Sequence, residues 1–287
     1  MADMKSFDSA VTYLFVPGTR SERFEKAVRS GADVVILDLE DAVAPADKPI
    51  ARSAVLESWA SLNEVANEIG VALCIRVNSP REKTGRDDLA LCHLLKPSLI
   101  MVPKVESEAE LVSVSSEVPS ARVLALIETA NGVMEARKIA SAPNVARLVL
   151  GSVDLMVNLG VTDDREPLDW TRSMLVLASA GAGIAGPVDG VCTSINDLER
   201  VRLDTERART FGFTSKLCIH PKQIPAVSDA FKVTDEEVAW AKRVIDASES
   251  SAGAATAVDG AMVDVPVLLR AQRIVSRHDA IRRTAPD

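Results

Sequence analysis

Acidic residues recur in this sequence after short apolar runs, where the strands of a parallel sheet would end. The four at such positions are Glu40, Asp41, Glu128 and Asp154. The carboxyl ends of parallel strands meet at one rim, so these carboxylates would repel one another unless a cation or a raised pKa compensates. Oxygen ligands without a Cys or His set favour Mg²⁺, or alternatively Mn²⁺, over zinc. We therefore predict a metal site with Glu128 and Asp154 as direct ligands, although Asp41 and Asp154 taken singly also fit helix caps.

Basic residues are expected near the same rim. Arg76 lies between apolar neighbours, and its planar guanidinium suits two-point binding of a substrate carboxylate; an internal salt bridge to one of the acids is the alternative. Lys104 is a possible Schiff-base nucleophile, but the many acids nearby favour an electrostatic or supporting role. Arg20 leads into a helix that also carries Arg23 and Lys26, which indicates an anion site such as a phosphate site, or simply a solvated helix face.

Apolar runs alternate with longer amphipathic segments along most of the chain. The runs predict eight strands, at Thr12–Val16, Asp33–Leu39, Ala72–Val77, Leu99–Val102, Val123–Ile127, Arg147–Leu150, Val188–Val191 and Ser215–Ile219. Helical segments are predicted at Ser21–Ser30, Ile50–Ile69, Glu106–Val118, Gly132–Ala140 and Asp197–Phe211. Eight strands separated by helices fit an α/β TIM (β/α)8 barrel, although a doubly wound open sheet shares the local pattern.

The alternation stops after Pro221. A further helix is predicted at Asp235–Ser248, followed by the Ser/Ala/Gly-rich stretch Glu249–Ala261, which indicates a mobile linker or lid. Met262–Val267 then leads to a basic helix at Leu268–Arg283. We therefore expect a catalytic barrel over residues 1–225 and a C-terminal helical extension over 226–287.

Composition excludes several classes of protein. Of 287 residues 47% are apolar, and 33 basic against 41 acidic residues give a formal charge of −8. This acidic balance argues against nucleic-acid binding, which needs a concentrated basic surface. No apolar run reaches the ~18 residues of a membrane span and none resembles a signal peptide, so we expect a soluble, cytoplasmic protein. Cys74, Cys92, Cys192 and Cys218 are widely spaced, which favours reduced core residues.

The stretch from Gly181 to Gly186 spells GxGxxG, the pattern of a dinucleotide-binding loop. That loop must open a helix, whereas here the strand-like residues 187–191 follow. We interpret the glycines as the end of one helix entering the next strand.

Eight segments together resemble one known superfamily. They are LFVPGTRSERFEKA (14–27), VVILDLEDAVAPADK (34–48), IRVNSP (75–80), MVPKVES (101–107), LALIETANGV (124–133), DGVCTSINDLE (189–199), CIHPKQI (218–224) and AMVDVPVLLRAQRI (261–274). In this order they are similar to the HpcH/HpaI aldolase and citrate lyase superfamily, and more narrowly to its citrate lyase β-subunit-like acyl-CoA lyases. The resemblance implies a TIM barrel with a C-terminal appendage, Mg²⁺, a CoA thioester substrate, and a homotrimer or dimer of trimers.

The resemblance also implies roles for residues at matching positions. It implies that Arg76 binds the carboxylate of an oxo acid. It implies that Glu128 and Asp154 are the metal ligands and that Glu128 also lies against the substrate. Glu40 and Asp41 match acids that lie near the metal-bound waters. It places Phe15, Arg20, Arg23 and Lys26 in the region that handles the CoA nucleotide. Asp264 matches an aspartate that a neighbouring subunit delivers as acid or base. Val153 departs from the family pattern, in which a glutamate precedes the metal-binding aspartate.

These roles predict a Mg²⁺-dependent carbon–carbon lyase that reversibly cleaves a 3-hydroxyacyl-CoA, such as citramalyl-, malyl- or citryl-CoA, to acetyl-CoA and a 2-oxo acid. A class II aldolase acting on free hydroxy-oxo acids is one alternative, against which the AMVDVPV segment argues. A non-catalytic CoA-binding subunit is the other.

Overall fold

Eight parallel strands close into a barrel in the computed structural model, which describes residues 8–250 and 256–284. The strands are β1 (Thr12–Pro17), β2 (Val34–Asp38), β3 (Ala72–Arg76), β4 (Leu99–Val102), β5 (Arg122–Ile127), β6 (Val145–Leu150), β7 (Val188–Asp189) and β8 (Ser215–Cys218). Each pairs with the next along the chain, and β1 pairs with β8. The TIM barrel is therefore confirmed and the open sheet is excluded.

Strand residues are buried on both faces of the sheet, which explains why the strands read as continuous apolar runs. Alternate residues such as Ile36, Cys74 and Met101 fill the barrel interior. Their neighbours, such as Leu37 and Ile75, face the surrounding helices. All four cysteines are buried and unpaired, as expected for core residues.

Helices follow the strands of the barrel. They are α1 (Phe24–Val28), α2 (Lys48–Glu68), α3 (Lys83–Leu95), α4 (Glu108–Glu117), α5 (Ala130–Ala140), α6 (Ser152–Leu159), α7 (Asp169–Ala182), α8 (Leu198–Phe211) and α9 (Gln223–Phe231). Side chains cap several of them: Ser107 and Glu110 form a capping box on α4, and Thr129 accepts the Gly132 N–H of α5. Within the described ranges, no helix combines the length and the apolar character that crossing a membrane requires.

The first predicted helix and the seventh predicted strand are both shorter than expected. The helix predicted at Ser21–Ser30 divides into one 3-10 turn, Ser21–Arg23, and the five-residue α1. Strand β7 ends at Asp189, and Gly190 after it packs closely against the start of α6, where an added Cβ would lie 2.4 Å from Ser152 Oγ.

The GxGxxG stretch lies at a helix end, as predicted. Helix α7 ends at Ala182, and Gly183 takes a left-handed conformation with φ of +68°. The Ile184 N–H then donates to the Ser179 carbonyl, which closes the helix in the manner of a glycine cap.

A second compact unit begins at Lys232, a few residues after the predicted boundary. It contains α10 (Asp235–Ser250), β9 (Thr256–Val258), β10 (Ala261–Val263) and α11 (Val265–Thr284). Ala241, Val244, Val263 and Ala271 form its small core.

The prediction of a linker or lid at Glu249–Ala261 is wrong for most of the residues of this stretch that the structure describes. Residues 249 and 250 end α10, and β9 and β10 form an antiparallel hairpin. Asp259 and Gly260 both have positive φ, +51° and +79°, as a two-residue type I′ turn requires. The Asp-Gly pair between short apolar runs was the sequence signal for this hairpin. Residues 251–255 of the expected linker lie outside the described residues.

Candidate active site

Arg76 and Asp38 form a buried ion pair at the carboxyl ends of neighbouring strands. The β2–β3 register places them side by side. Asp38 Oδ1 and Oδ2 accept hydrogen bonds from Arg76 Nε and Nη2, both at 2.7 Å. The Phe15 ring also lies against the guanidinium, with 4.7 Å between Arg76 Cζ and the ring centroid. Two-point contact with Asp38 thus occupies one edge of Arg76 and leaves Nη1 directed at other acids.

Asp38 also shapes the loop after β2. Its oxygens accept the N–H groups of Glu40 at 2.9 Å and Ala42 at 3.1 Å. From α2, Lys48 Nζ donates to the Leu39 and Glu40 carbonyls at 2.7 and 2.6 Å. As a result the Glu40 side chain is buried in the barrel mouth, whereas Asp41, the next residue, is exposed.

Glu40 lies between two cations. Its Oε1 accepts a hydrogen bond from Lys104 Nζ at 3.1 Å, and its Oε2 is 2.9 Å from Arg76 Nη1. Those last two atoms are not aligned for a hydrogen bond, so buried Oε2 has no hydrogen-bond partner among the described residues. Burial raises the pKa of Glu40 to about 7, against the lowering effect of Arg76.

Glu128 follows β5 and is buried in the same mouth. Its Oε1 accepts the Lys104 backbone N–H at 2.8 Å. Its Oε2 lies against Gly151, where an added Cβ would be 2.5 Å away, so a side chain at residue 151 would displace the carboxylate. Burial, followed by the charges of Glu40 and Asp154, raises the pKa of Glu128 to about 8.

Asp154 is the third residue of α6, which starts at the end of β6. It is half-buried, and it lies near enough to Glu128 for its charge to raise the pKa of that carboxyl. The N-terminus of a helix favours a negative side chain in this position. Val153, just before it, is 39% exposed.

The donor set at this mouth fits Mg²⁺. Glu128 and Asp154 could supply carboxylate oxygens from adjacent strand ends, and the charges of Glu40 and Asp154 raise the pKa of buried Glu128, an effect that a cation would offset. Within residues 8–250 and 256–284, no three acidic, His or Cys side chains converge as a complete protein cage. Two carboxylates completed by water and substrate oxygens are the usual arrangement for Mg²⁺, which dehydrates reluctantly.

The two raised pKa values predict how stability depends on pH without metal. Between pH 4.5 and about 8, folded Glu40 and Glu128 bind more protons than they would in the unfolded chain. The free energy of unfolding must therefore fall as pH rises through this window. We expect the urea midpoint in EDTA to fall from pH 5 to pH 8 and to recover on adding Mg²⁺ at pH 8. A midpoint that rises over this range would contradict the raised pKa values of Glu40 and Glu128.

The basic residues predicted for an anion site lie on the first loop and on α1. Arg20, Arg23 and Lys26 are exposed, and Arg20 and Arg23 each lie 3.7 Å from Glu22. The helix expected to carry the anion site is a single 3-10 turn followed by a five-residue helix, whose dipole is small, so the anion site stays a prediction. Any role in binding phosphate would depend on the side chains themselves.

Asp264 lies in the second unit, immediately before α11. Its Oδ1 accepts the Val267 N–H at 3.3 Å, so it caps the helix. The side chain is half-buried.

Sequence reasoning missed Asp38, Lys48 and the backbone role of Lys104. Asp38 had a signal, because it is the last residue of a strand and shares a register position with Arg76. Lys48 and the Lys104 N–H had none, since both depend on how the loops return over the strand ends.

Comparisons with known proteins agree on one family. The HpcH/HpaI aldolase/citrate lyase family model matches residues 12–221, and that of C–C bond lyases of the TIM-barrel fold matches residues 173–280. A citrate lyase subunit β-like protein of Mycobacterium tuberculosis is 36% identical over 272 residues, 92% of this chain and 94% of that protein. A (3S)-malyl-CoA thioesterase of Cereibacter sphaeroides is 32% identical over 273 residues, 93% of this chain and 94% of that protein.

Solved structures give the same result. Protein CitE of M. tuberculosis, in complex with magnesium, acetoacetate and coenzyme A, matches with a TM-score of 0.83 and 35% identity, over 95% of this chain and 100% of that chain. The citrate lyase β subunit of the same organism, complexed with oxaloacetate and magnesium, matches with a TM-score of 0.69 and 33% identity, over 78% of this chain and 98% of that chain.

Proposed function

The chain belongs to the HpcH/HpaI aldolase/citrate lyase family of carbon–carbon lyases, and on that premise we propose a specific reaction. In this reaction the protein cleaves a 3-hydroxyacyl-CoA of the citramalyl-, malyl- or citryl-CoA type into acetyl-CoA and a 2-oxo acid. The reaction is reversible and uses Mg²⁺, for which Mn²⁺ substitutes. The ligands of the related CitE structures, magnesium with coenzyme A or with oxo acids, support this choice of substrate and metal.

The observation that carries the proposal is the pair Glu128 and Asp154. Burial and mutual repulsion raise the pKa of Glu128 to about 8, which a divalent cation would reverse. Bound there, Mg²⁺ would stabilise negative charge on the substrate oxygen that becomes the carbonyl oxygen of the oxo acid.

Cleavage moves two protons, one off the substrate hydroxyl and one onto carbon. A base removes the hydroxyl proton, and the O–H electron pair forms the new C=O bond. The C–C bonding pair passes to the carbon beside the thioester, which then takes a proton to give acetyl-CoA. Glu40, whose pKa is about 7, is suited to accept the hydroxyl proton near neutral pH, and Asp41 would lie beside the metal waters. Asp264 of a neighbouring subunit would donate the proton to carbon.

Arg76 would bind the carboxylate of the oxo acid through Nη1. Its Nε and Nη2 are held by Asp38, so the ion pair orients the remaining nitrogen and supports one-point binding rather than the two-point binding expected from the sequence. Phe15, Arg20, Arg23 and Lys26 would bind the CoA nucleotide. Delivery of Asp264 between subunits requires an oligomer, for which we propose a homotrimer or a dimer of trimers.

A panel of CoA thioesters tests the proposal. Citramalyl-, malyl- and citryl-CoA are incubated with the full chain in Mg²⁺ and in EDTA, and with the Asp264→Asn variant in Mg²⁺. Free hydroxy-oxo acids are incubated with the full chain in Mg²⁺ as a separate arm. We expect acetyl-CoA from at least one thioester in Mg²⁺ and none in EDTA. Asp264→Asn is expected to bind Mg²⁺ normally but to lose turnover. Cleavage of free hydroxy-oxo acids without CoA would contradict the proposal and favour the free-acid aldolase.

Thioester hydrolysis is a second candidate, favoured by the 32% identity to a (3S)-malyl-CoA thioesterase. In that reaction water attacks the thioester carbonyl and releases free CoA with the hydroxy acid intact. The panel separates the two reactions by whether CoA leaves as acetyl-CoA or as the free thiol.

A further inference from the structure

Lys104 contacts both buried glutamates of the site. Its backbone N–H donates to Glu128 Oε1 at 2.8 Å, and its Nζ donates to Glu40 Oε1 at 3.1 Å. Its own carbonyl accepts a hydrogen bond from Arg81 Nη2 at 3.3 Å. This residue, two positions after β4, is therefore held at its amide, its carbonyl and its side chain.

The backbone of Lys104 is in the left-handed region, with φ of +52°. That conformation is unfavourable for an L-residue with a side chain, whereas glycine adopts it freely. A glycine at position 104 would provide the backbone contact with Glu128 at least as well as lysine does. The contact that a lysine adds is the one between Nζ and Glu40.

The two contacts place the glutamates differently. Glu128 gives one oxygen to the Lys104 amide and keeps Oε2 against Gly151, on the side of Asp154 and α6. Glu40 is drawn between Lys104 Nζ and Arg76 Nη1. Lys104 thus contacts each carboxylate through a different group, its amide for Glu128 and its ammonium for Glu40, and the charge of Glu40 raises the pKa of Glu128.

We infer that Lys104 is a positioning residue that keeps the Glu40 carboxylate off the divalent cation, so that Glu128 and Asp154 remain the protein's ligands. The inference rests on the proposed Mg²⁺ site. Without the ammonium, Glu40 would be free to join the cation as a third carboxylate, and a positive charge near the cation would be lost. Both changes strengthen Mg²⁺ binding. The first change would also withdraw Glu40 from proton transfer and occupy a coordination position that substrate or water needs.

Calorimetric titration of Mg²⁺ into the full chain, with no substrate present, tests this inference. Lys104→Gly keeps the amide and accepts positive φ, so it removes the side chain alone; Lys104→Asn also tolerates this conformation. We expect both to bind Mg²⁺ about three- to tenfold more tightly than the natural protein, since an ammonium close to the cation is removed. Lys104→Arg retains the charge and should bind Mg²⁺ within about twofold of the natural affinity.

Kinetics supply a second readout. At saturating Mg²⁺, Lys104→Gly should lower kcat about tenfold or more while changing KM much less, because Glu40 is withdrawn from proton transfer. If Lys104 only supported the loop, removing its side chain would instead weaken Mg²⁺ binding.

Equal or weaker Mg²⁺ binding by Lys104→Gly and Lys104→Asn would overturn the inference, whichever substrate the protein cleaves. Failure of the proposed function gives a different result: the natural protein would bind no Mg²⁺, or would bind it and cleave none of the thioesters. Circular dichroism checks whether each variant is folded. If Lys104→Gly is not folded, the Mg²⁺ affinity of Lys104→Asn tests the inference.

Discussion

Replacing Glu128 by Gln is expected to abolish Mg²⁺-dependent turnover. Gln keeps the size and the hydrogen bond to the Lys104 N–H but removes the negative charge of Oε2 that faces Asp154. We expect kcat/KM to fall by about a thousandfold, equivalent to ~4 kcal/mol of transition-state stabilisation. Calorimetry should show Mg²⁺ binding lost in parallel. Steady-state assays on the best thioester of the panel measure the effect.

Glu135→Gln is the matched control for this substitution. Glu135 lies on α5, close to Glu128 along the chain, and pairs at the surface with Lys138. Its turnover should equal that of the natural protein. The EDTA-treated Glu128→Gln variant should also unfold at a higher urea concentration than the natural protein at pH 8, since a buried charge is removed. Full activity in Glu128→Gln would exclude Glu128 as a metal ligand.

Replacing Asp38 by Ala is expected to have the largest effect on stability. Asp38 satisfies two nitrogens of buried Arg76 and two backbone N–H groups of the β2–α2 loop. Removing one partner of a buried ion pair typically costs about 3–5 kcal/mol, because the other charge remains buried. Equilibrium urea unfolding followed by tryptophan fluorescence measures the loss.

The comparison is with Asp87→Ala, which removes an exposed aspartate paired with Lys83 on α3. Its urea midpoint should match that of the natural protein. Asp38→Asn keeps most of the shape and should lie between the two. An unchanged midpoint in Asp38→Ala would mean that Asp38 does not support Arg76.

The barrel was predictable because its strands are buried on both faces. An apolar run of four to six residues such as β4 or β5, between two amphipathic helical segments, predicts a strand buried on both faces. β7 was the exception, since it has only two residues, Val188 and Asp189, where the apolar run predicted four. The hairpin around Asp259 and Gly260 was missed although its turn residues were visible, because the composition of the stretch suggested a linker.

The sequence indicated which polar residues follow the strands, but it did not indicate the contacts that depend on three-dimensional geometry. Glu128 and Asp154 follow strands, and that alone predicted a metal-binding rim. The pairing of Arg76 with Asp38 needed the strand register, and the contact of Glu128 with the Lys104 amide needed the left-handed turn. Neither the strand register nor the left-handed turn can be deduced from the amino-acid composition of its segment.

The identity of the products tests the proposed reaction most directly. The full chain is incubated with the preferred thioester and Mg²⁺, and acetyl-CoA, free CoA, 2-oxo acid and hydroxy acid are quantified over time. Carbon–carbon cleavage predicts acetyl-CoA and 2-oxo acid in equal amounts, arrested by EDTA and resumed by excess Mg²⁺. Free CoA with an equal amount of intact hydroxy acid, and no acetyl-CoA, would contradict it.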